Sequence, residues 1–178
     1  MRKLIAGFAT SIDGFIEGPN GEIDWIIYDR EQMKELEQHW KRMDAMFYGR
    51  KTYEAVVKMS SGINKDQPNP FAHMKHYVFS KSLSEVEKDF ILIDGSLKHE
   101  VEKIKNEQGK DIAVFGGAEL VCSLVNLGLV DELTLAVCPV LLGKGKAFFP
   151  LLDKRSDWEV KEVKNYSSGL VSLTYLKK

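Results

Sequence analysis

Short apolar segments alternate with helical patterns along most of the chain, and this alternation constrains the fold more than any other feature. Strands that alternate with helices form a mostly parallel sheet with helices on both faces. Near the C-terminus the pattern changes to alternating apolar and polar residues over 158–166 and 170–176, which predicts an antiparallel hairpin. The sequence therefore predicts a three-layer α/β/α domain with a mixed, mostly parallel sheet and a C-terminal antiparallel hairpin.

The same spacing places the individual elements. Asp29 can cap the first helix, with Gln32 three positions later completing a capping box, and this helix carries apolar residues at helical spacing as far as Met43. Ser96 can cap a later helix, and a loop is expected around Pro68. Apolar runs predict strands at 3–9, 45–48, 76–80, 90–93, 112–115 and 132–137, and further helices are predicted over 51–59, 96–104 and 118–127.

Length and composition fit an ordinary globular protein. The chain has 178 residues, a formal net charge of -1 and 44% hydrophobic residues, so a single domain over 1–178 is expected. The near-zero charge lacks the basic footprint of a general nucleic-acid binder. No apolar run approaches the roughly 20 residues that cross a bilayer, and no secretory signal is recognised, so a cytoplasmic protein without a membrane partner is expected. Cys122 and Cys138 are expected to be buried free thiols.

The strongest local signal for chemistry is the segment Val114-Phe115-Gly116-Gly117-Ala118-Glu119-Leu120. A strand that runs into paired glycines and opens a helix leaves backbone N–H groups free, and these groups together with the helix dipole favour phosphate. The segment is neither the G-x-G-x-x-G fingerprint nor a Walker-type loop. A tight turn that only needs positive φ explains the glycines equally, so both interpretations remain open.

Two other strand ends have a similar character. Gly49-Arg50-Lys51-Thr52-Tyr53-Glu54 places two cations and a hydroxyl at a helix start, and Ser80-Lys81-Ser82 follows the end of another predicted strand. A solvated helix end explains the cations of the first segment when it is taken alone. Ligands of open α/β sheets collect at the carboxyl ends of strands. Three such ends together therefore indicate one phosphate-rich ligand.

Acidic residues near the first strand are the candidates for proton transfer. Asp13 follows that strand directly, and its loop leads to Asp29. A turn explains Asp13-Gly14, and a helix cap explains Asp29, so both carboxyl groups also have structural explanations. The four histidines have no metal-ligand spacing, no G-x-S-x-G elbow occurs, and no metal site is expected. The segment 142–146 has the composition of an anion clamp or of a flexible turn.

Four ordered motifs give the chain a resemblance to the dihydrofolate reductase-like superfamily, and most closely to the reductase domain of bacterial riboflavin biosynthesis. The motifs are Ala9-Thr10-Ser11-Ile12-Asp13-Gly14, Gly49-Arg50-Lys51-Thr52-Tyr53-Glu54, Phe115-Gly116-Gly117-Ala118-Glu119-Leu120, and Gly128-Leu129-Val130-Asp131-Glu132-Leu133 continuing to Pro139-Val140-Leu141-Leu142-Gly143-Lys144-Gly145. They extend over nearly the whole chain. The resemblance implies the dihydrofolate reductase-like fold with NADPH lying across the strand ends.

The resemblance also implies roles for individual residues. Arg50 and Thr52, after Gly49, would meet the phosphates of NADPH, and Ser80 and Lys81 would lie near its adenosine 2′-phosphate. The cationic partners predict NADPH over NADH. The residues expected at the pyrophosphate are Gly116, Gly117, Ala118, Glu119 and Leu120, those flanking the nicotinamide are Ala9 and Ile16, and the acids considered for catalysis are Asp29 and Asp13.

The implied activity is reduction of a pteridine- or pyrimidine-like heterocycle, with the aminouracil of riboflavin biosynthesis as the substrate class. A dihydrofolate reductase proper and a non-catalytic nucleotide-binding or regulatory protein on the same fold are the alternatives. The chain lacks the H-x-E and C-x-x-C signature, so no deaminase domain is expected. A homodimer is expected from the resemblance, with the apolar stretch Leu133 to Leu142 pairing with its equivalent.

Overall fold

The computed structural model describes residues 1–60 and 69–178. In chain order the elements are β1 (Leu4–Ser11), β2 (Phe15–Glu17), α1 (Arg30–Trp40), β3 (Met43–Gly49), α2 (Arg50–Ser60), β4 (Lys75–Phe79), β5 (Phe90–Ile93), α3 (Leu97–Asn106), β6 (Asp111–Gly116), α4 (Ala118–Asn126), β7 (Glu132–Cys138), β8 (Lys146–Ala147), β9 (Trp158–Asn165) and β10 (Val171–Lys177). Pro68, which the sequence assigns to a loop, lies outside the described residues.

The main sheet has eight strands in the order β5-β4-β3-β6-β1-β7-β10-β9. The first six of these strands pair in parallel, and β10 pairs antiparallel with both β7 and β9. The predicted mixed sheet with a C-terminal antiparallel hairpin is therefore confirmed. Parallel strands need crossover connections, and the four helices supply them between β1 and β7, except between β4 and β5, which a loop joins.

Each face of the sheet has its own core, because successive strand residues point to opposite faces. On one face Leu4 and Ala6 of β1 pack with apolar residues of α3 and α4, such as Val101 and Leu124. On the other face Ile5 packs in a cluster that includes residues of β3, β4 and α2, with Trp40 of α1 against it. The helices thus form the two outer layers of the predicted three-layer arrangement.

Some local expectations were wrong. Met43 begins β3 instead of continuing α1, because the chain turns at Lys41 and the Met43 side chain is buried in the sheet. Ser96 is the N-cap residue of α3, as predicted, but its side chain makes no capping hydrogen bond. The two-stranded sheet of β2 and β8 was not anticipated; it joins the loop after β1 to the segment after β7.

The predicted route to a dimer through 133–142 is also wrong in its geometry. That stretch begins inside β7, whose two sides pair with β1 and β10, so it has no free sheet edge. The edges of the main sheet are β5 and β9. The homodimer itself stays a prediction. Cys122 and Cys138 are buried free thiols, as predicted. Within 1–60 and 69–178, no helix is long and apolar enough to span a membrane.

Candidate functional site

Two neighbouring parallel strands, β3 and β6, each end in glycine and run directly into a helix. The helices leave to opposite faces of the sheet, α2 to one and α4 to the other. A crevice opens where adjacent strands send their connections to opposite faces, and ligands of open α/β sheets bind there. The two helix starts are close: a Cβ on Gly49 would lie 3.4 Å from the backbone nitrogen of Gly117.

The turn between β6 and α4 is built for close approach. Gly116 has φ of 124°, a conformation that side-chain-bearing residues rarely adopt. Gly117 is the N-cap of α4 and offers no side chain to the helix start, and a Cβ there would lie 3.0 Å from the hydroxyl oxygen of Thr52. Among the described residues, no hydrogen-bond partner meets the N–H groups of Ala118, Glu119 and Leu120. These donors and the helix dipole make a site for an anion.

A cavity of about 340 Å³ lies at these helix starts. It brings together most of the residues predicted to hold a cofactor, namely Gly49, Arg50, Thr52, Ser80, Lys81, Gly117, Ala118, Glu119 and Leu120. The lining also includes Lys51 and Ser82, which belong to the predicted strand-end motifs but received no individual role. Sequence reasoning assigned no cofactor contact to the remaining lining residues, which are Phe79, Ile93, Gly95, Leu97, Ser123 and Lys146. Of these, Lys146 belongs to the segment noted above as an anion clamp or a turn.

The cations that line the cavity differ in their partners. Arg50 pairs with Glu54 at 2.9 Å, Lys51 with Glu119 at 3.2 Å, and Lys146 with Glu17 at 2.9 Å. Lys81 is exposed and has no ion-pair or hydrogen-bond partner among the described residues. Lys81 is therefore the lining cation that can meet an added phosphate without first leaving a carboxylate.

Ser80 sits beside Lys81 in a tight turn. Its hydroxyl oxygen accepts hydrogen bonds from the N–H groups of Ser82 and Leu83, each at 3.2 Å. The backbone N–H of Ser80 bonds to the carbonyl of Ile93, which ties the end of β4 to the end of β5. These bonds fix the loop that presents Lys81.

The predicted nicotinamide neighbours lie outside the lining of this cavity. Ile16 is buried with Ala118 and Phe148, so it backs the start of α4 from the side of β2. Ala9 is half-buried on β1, where it pairs in register with Ala136 of β7. Ile16 thus packs against Ala118, a lining residue of the cavity, and Ala9 lies near the carboxyl end of β1.

The structure shows a second opening that the sequence did not predict. Gly7 lies in β1, the fifth of eight strands, yet it is exposed. Ile5, Gly7 and Ala9 share the sheet face that α1 and α2 cover, and in register with them β7 contributes Thr134 and Ala136. These side chains are small or absent and Gly7 is exposed, so the helices leave this part of the sheet uncovered. We call it the central groove.

Phe115 forms one wall of the central groove. It follows Ala113 by two residues, so it shares the α1 and α2 face, and it is 45% exposed immediately before Gly116. Its ring lies 5.6 Å from that of Tyr48 and 6.1 Å from that of Phe71, and Phe71 in turn packs edge-on against Trp40. An aromatic wall beside a floor of small residues is suited to a flat ring. A glycine inside a predicted apolar strand was the signal that could have revealed it.

The carboxylate of Asp13 ties two loops together. It accepts hydrogen bonds from the hydroxyl of Ser11 at 2.6 Å and from the backbone N–H groups of Gly143 at 2.7 Å and Leu142 at 3.2 Å. The hydrogen bond from Ser11 is the main cause that lowers the pKa of Asp13, and the two backbone bonds lower it further. Asp13 therefore holds the loop after β1 against the segment before β8.

Asp29 is the N-cap of α1. Its carboxylate accepts hydrogen bonds from the N–H groups of Glu31 at 2.8 Å and Gln32 at 3.1 Å. The hydroxyl of Ser168, in the hairpin turn, is the main cause that lowers the pKa of Asp29, and the N–H of Gln32 adds to it. A carboxyl group whose pKa is lowered is ionised at neutral pH and is a poor proton donor. Catalytic roles for Asp13 and Asp29 stay predictions.

Within 1–60 and 69–178 no group of His, Cys, Asp and Glu is arranged to hold a metal ion. His76 is an example of a histidine used in packing. Its Nδ1 faces the hydroxyl of Tyr48 at 2.9 Å and its Nε2 faces the carbonyl of Phe71 at 3.1 Å. Since a carbonyl only accepts, Nε2 carries a proton, and both ring nitrogens of His76 are engaged within the protein.

Comparisons with known proteins agree with this geometry. The family model described as the RibD C-terminal domain matches residues 2–172. The uncharacterized protein YyaP of Bacillus subtilis (strain 168) is 36% identical over 179 residues, which cover 98% of this chain and 94% of that protein. A candidate riboflavin biosynthesis protein from Shewanella sp. PV-4 has a similar structure, with a TM-score of 0.79, 23% identity and 99% of both chains covered.

Dihydrofolate reductase from Enterococcus faecalis, solved with NADP(H) and RAB-propyl, is similar at a TM-score of 0.70 and 16% identity, covering 99% of this chain and 96% of that one. At these identities the solved structures show the fold, which is that of dihydrofolate reductase.

Proposed function

The chain belongs to the RibD C-terminal domain family, and on that premise we propose that it is an NADPH-dependent reductase of a pteridine- or pyrimidine-like heterocycle, similar to the aminouracil reductase of riboflavin biosynthesis. One observation carries the proposal. A cavity with the character of a phosphate site lies at the starts of α2 and α4, and the central groove, with its floor of small residues and its exposed Phe115 wall, begins at the same strand end. A hydride-transferring reductase needs both places side by side.

The described residues fit the cofactor. The N–H groups at the start of α4 and the glycine turn before it would hold the pyrophosphate, with Arg50 and Thr52 facing it from the start of α2. Lys81, which has no described partner, would meet the adenosine 2′-phosphate, and the apolar side chains of Phe79 and Leu97 would cover the adenine. The solved Enterococcus faecalis dihydrofolate reductase of similar fold contains NADP(H), which supports NADP(H) as the class of cofactor.

When bound, NADPH supplies a hydride from C4 of its nicotinamide. The contribution of the chain is to position the two rings. Ala9 is small enough to let a nicotinamide lie against β1, and Ile16 with Phe148 closes the side of β2 with apolar surface. Phe115 and the floor at Gly7 would hold the substrate ring in the central groove. Two flat rings held face to face in this way react as a single assembled unit.

Water is the proton source that the chain's own residues favour. The carboxylate of Asp13 accepts three hydrogen bonds, and that of Asp29 is held by the N–H groups of Glu31 and Gln32 and by Ser168. Both have lowered pKa values, so both are ionised at neutral pH. Gly7 and Phe115 are exposed, so the central groove admits water until a ring fills it. A water molecule bound beside the ring would deliver the proton.

Titration of the pure protein with NADPH, and separately with NADH, tests the proposal. Trp25 and Trp40 report binding by fluorescence, and thermal unfolding gives an independent check. We expect tighter binding of NADPH than of NADH, followed by oxidation of NADPH with a compound from a panel of aminouracils and pterins. Absence of binding of either nucleotide at millimolar concentration would contradict the proposal.

The second candidate is a nucleotide-binding protein without catalysis, and the engagement of both carboxylates in structural hydrogen bonds favours it. It predicts NADPH binding but no oxidation with any ring of the panel. A dihydrofolate reductase proper is distinguished by turnover of dihydrofolate and inhibition by antifolates. The similarity to the Enterococcus faecalis enzyme, at 16% identity, concerns the fold alone.

A further inference from the structure

Gln32 is a polar side chain buried on the inner side of α1, with only 8% of its surface exposed. It occupies the first turn of the helix. Gln32, Leu36 and Trp40 follow at intervals of four, so they share one side of α1. Trp40 packs against the cluster that contains Ile5 and Ala113, which is the sheet face of the central groove. Gln32 is therefore on the side of α1 that faces the central groove.

The end of α1 that carries Gln32 lies at the carboxyl ends of the strands. Asp29 is hydrogen-bonded to Ser168 in the turn between β9 and β10. Trp25 and Ile27, just before α1, pack against Cys138 at the end of β7. This is the level at which Ala9 and Ala136 form the floor of the central groove.

Only one of the two interactions of the predicted capping box forms. Asp29 accepts from the N–H groups of Glu31 and Gln32, but the side-chain amide of Gln32 makes no return bond to the backbone of Asp29. No other described residue accepts from this amide or donates to it. Burying an amide without a partner costs free energy that a capping role would have avoided.

The unpaired amide still reaches open space. The described part of the chain has no fully buried side-chain nitrogen or oxygen without a hydrogen-bond partner. The amide of Gln32 has no partner, so its nitrogen and oxygen are not among the fully buried atoms. The exposed part of Gln32 therefore includes the amide group. A side chain that is nine-tenths buried and keeps its polar end accessible presents that end to whatever fills the neighbouring space.

From this we infer that the amide of Gln32 recognises the substrate ring through a lactam edge, a ring N–H beside a C=O. A primary amide donates through its nitrogen and accepts through its oxygen, which is the complement of that edge. The inference rests on the proposed function, because it assigns the substrate edge at the same site. The inference predicts that Gln32 discriminates against rings that present two hydrogen-bond donors to its amide, since one of these donors would face the amide N–H.

Two probes separate these edges. Diaminouracil presents lactam edges, whereas a diaminopyrimidine with amino groups flanking a ring nitrogen presents two donors when that nitrogen is protonated. Isothermal titration calorimetry at a pH below the pKa of that ring nitrogen, where the two-donor form dominates, would measure both affinities without and with NADPH for the wild-type protein and for Gln32→Met and Gln32→Glu. Gln38→Met, at an exposed position of the same helix, is the matched control.

We expect the wild-type protein to prefer diaminouracil. Gln32→Met removes both hydrogen bonds at nearly constant volume and should weaken diaminouracil binding by about 30-fold, at roughly a factor of five for each lost bond. Its thermal stability should not fall, because no bond within the protein is lost; a purely structural role would give the opposite pattern. Gln32→Glu offers two acceptors and should shift the preference toward the diaminopyrimidine.

Three results would overturn the inference: equal or tighter wild-type binding of the diaminopyrimidine, binding of neither probe, or a Gln32→Met affinity for diaminouracil that matches the Gln38→Met control. The NADPH titration is independent of them. If diaminouracil binding depends on Gln32 while NADPH does not bind, the proposed function fails and the recognition by Gln32 stands. If NADPH binds and is oxidised while the Gln32 variants bind rings normally, the proposed function stands and the inference about Gln32 fails.

Discussion

Replacing Gly7 by alanine should separate ring binding from stability. Gly7 lies in the floor of the central groove, and its φ is outside the left-handed region, so an alanine fits the backbone. An ideal Cβ at this position would meet only the carbonyl oxygen of Thr134 at 3.6 Å and its Cβ at 3.8 Å, which are ordinary van der Waals distances. The added methyl group therefore strains nothing in the protein and projects into the groove.

The magnitudes follow from these distances. The folded state tolerates the methyl group and the unfolded chain loses freedom, so the free energy of unfolding should rise by about 0.4–1 kcal/mol. For a chain of 178 residues this corresponds to an increase in Tm of about 1–4 °C. A ring that fits the groove would instead meet an extra methyl group on a rigid floor. Overpacking of that kind costs about 1–3 kcal/mol, or about 5- to 150-fold in affinity.

The assay combines thermal unfolding, titration with NADPH and calorimetric binding of diaminouracil on the same preparations. Val163→Ala serves as the distant control. It shortens an exposed side chain on the outer strand β9, away from the central groove. Gly7→Ala should keep its NADPH affinity and lose ring binding. Unchanged ring binding in a stable Gly7→Ala protein would refute the assignment of the central groove, and a clear fall in Tm would refute the packing argument.

Three further predictions concern single side chains. Lys81→Gln should weaken NADPH binding about 5- to 10-fold in a fluorescence titration and leave NADH binding unchanged, because one exposed charge-assisted hydrogen bond is lost. Lys154→Gln is the control, and an equal loss of NADH affinity would contradict the role of Lys81. Asp29→Asn should keep both the cap and turnover, whereas Asp29→Ala should lower Tm; turnover abolished in a stable Asn variant would contradict water as proton source. Tyr166→Phe removes a 2.8 Å hydrogen bond to Glu35, the main cause of that carboxyl's lowered pKa. Because the pKa of Glu35 is lowered in the folded protein, its ionised form stabilises the fold above the unfolded pKa of about 4.3, and this contribution is lost as the pH falls through the folded pKa. Denaturant unfolding should therefore show that the free energy of unfolding of Tyr166→Phe is about 1 kcal/mol below that of the wild type at neutral pH, with a smaller difference in acid.

The repeating part of the fold could be predicted from sequence because local and global preferences agree there. β3, β6 and the helices after them have apolar spacing, glycine at the strand end and helical spacing next, so each signal supports the others. Met43 was misplaced because its helical spacing from Trp40 coincides with the first inward position of β3. β2 and β8 carry two or three residues each, and their pairing depends on contacts between distant segments that no local pattern contains.

The phosphate side of the site was predictable for the same reason, since its residues lie next to one another in sequence at strand ends. The central groove could not be predicted, because it exists only where the helices leave the sheet uncovered. Gly7 and Phe115 come from two strands and are exposed only because α1 and α2 leave the centre of the sheet open. Gln32 was missed because its spacing from Asp29 matches a capping box, and only the structure shows that its amide is unpaired.

The central groove bears on the choice between a reductase and a protein that only binds a nucleotide. Nucleotide binding needs the strand-end cavity, the free N–H groups of α4 and the cations, and none of these requires an uncovered central strand. Burying a valine-sized side chain contributes about 1.5–3 kcal/mol, so a glycine exposed in the middle of a sheet forgoes stability that a larger residue would provide. The groove starts at Phe115, one residue before the phosphate turn, and a ring bound in it would therefore end where a nicotinamide would lie. A second ring next to the cofactor accounts for that cost, and a binding module has no use for it.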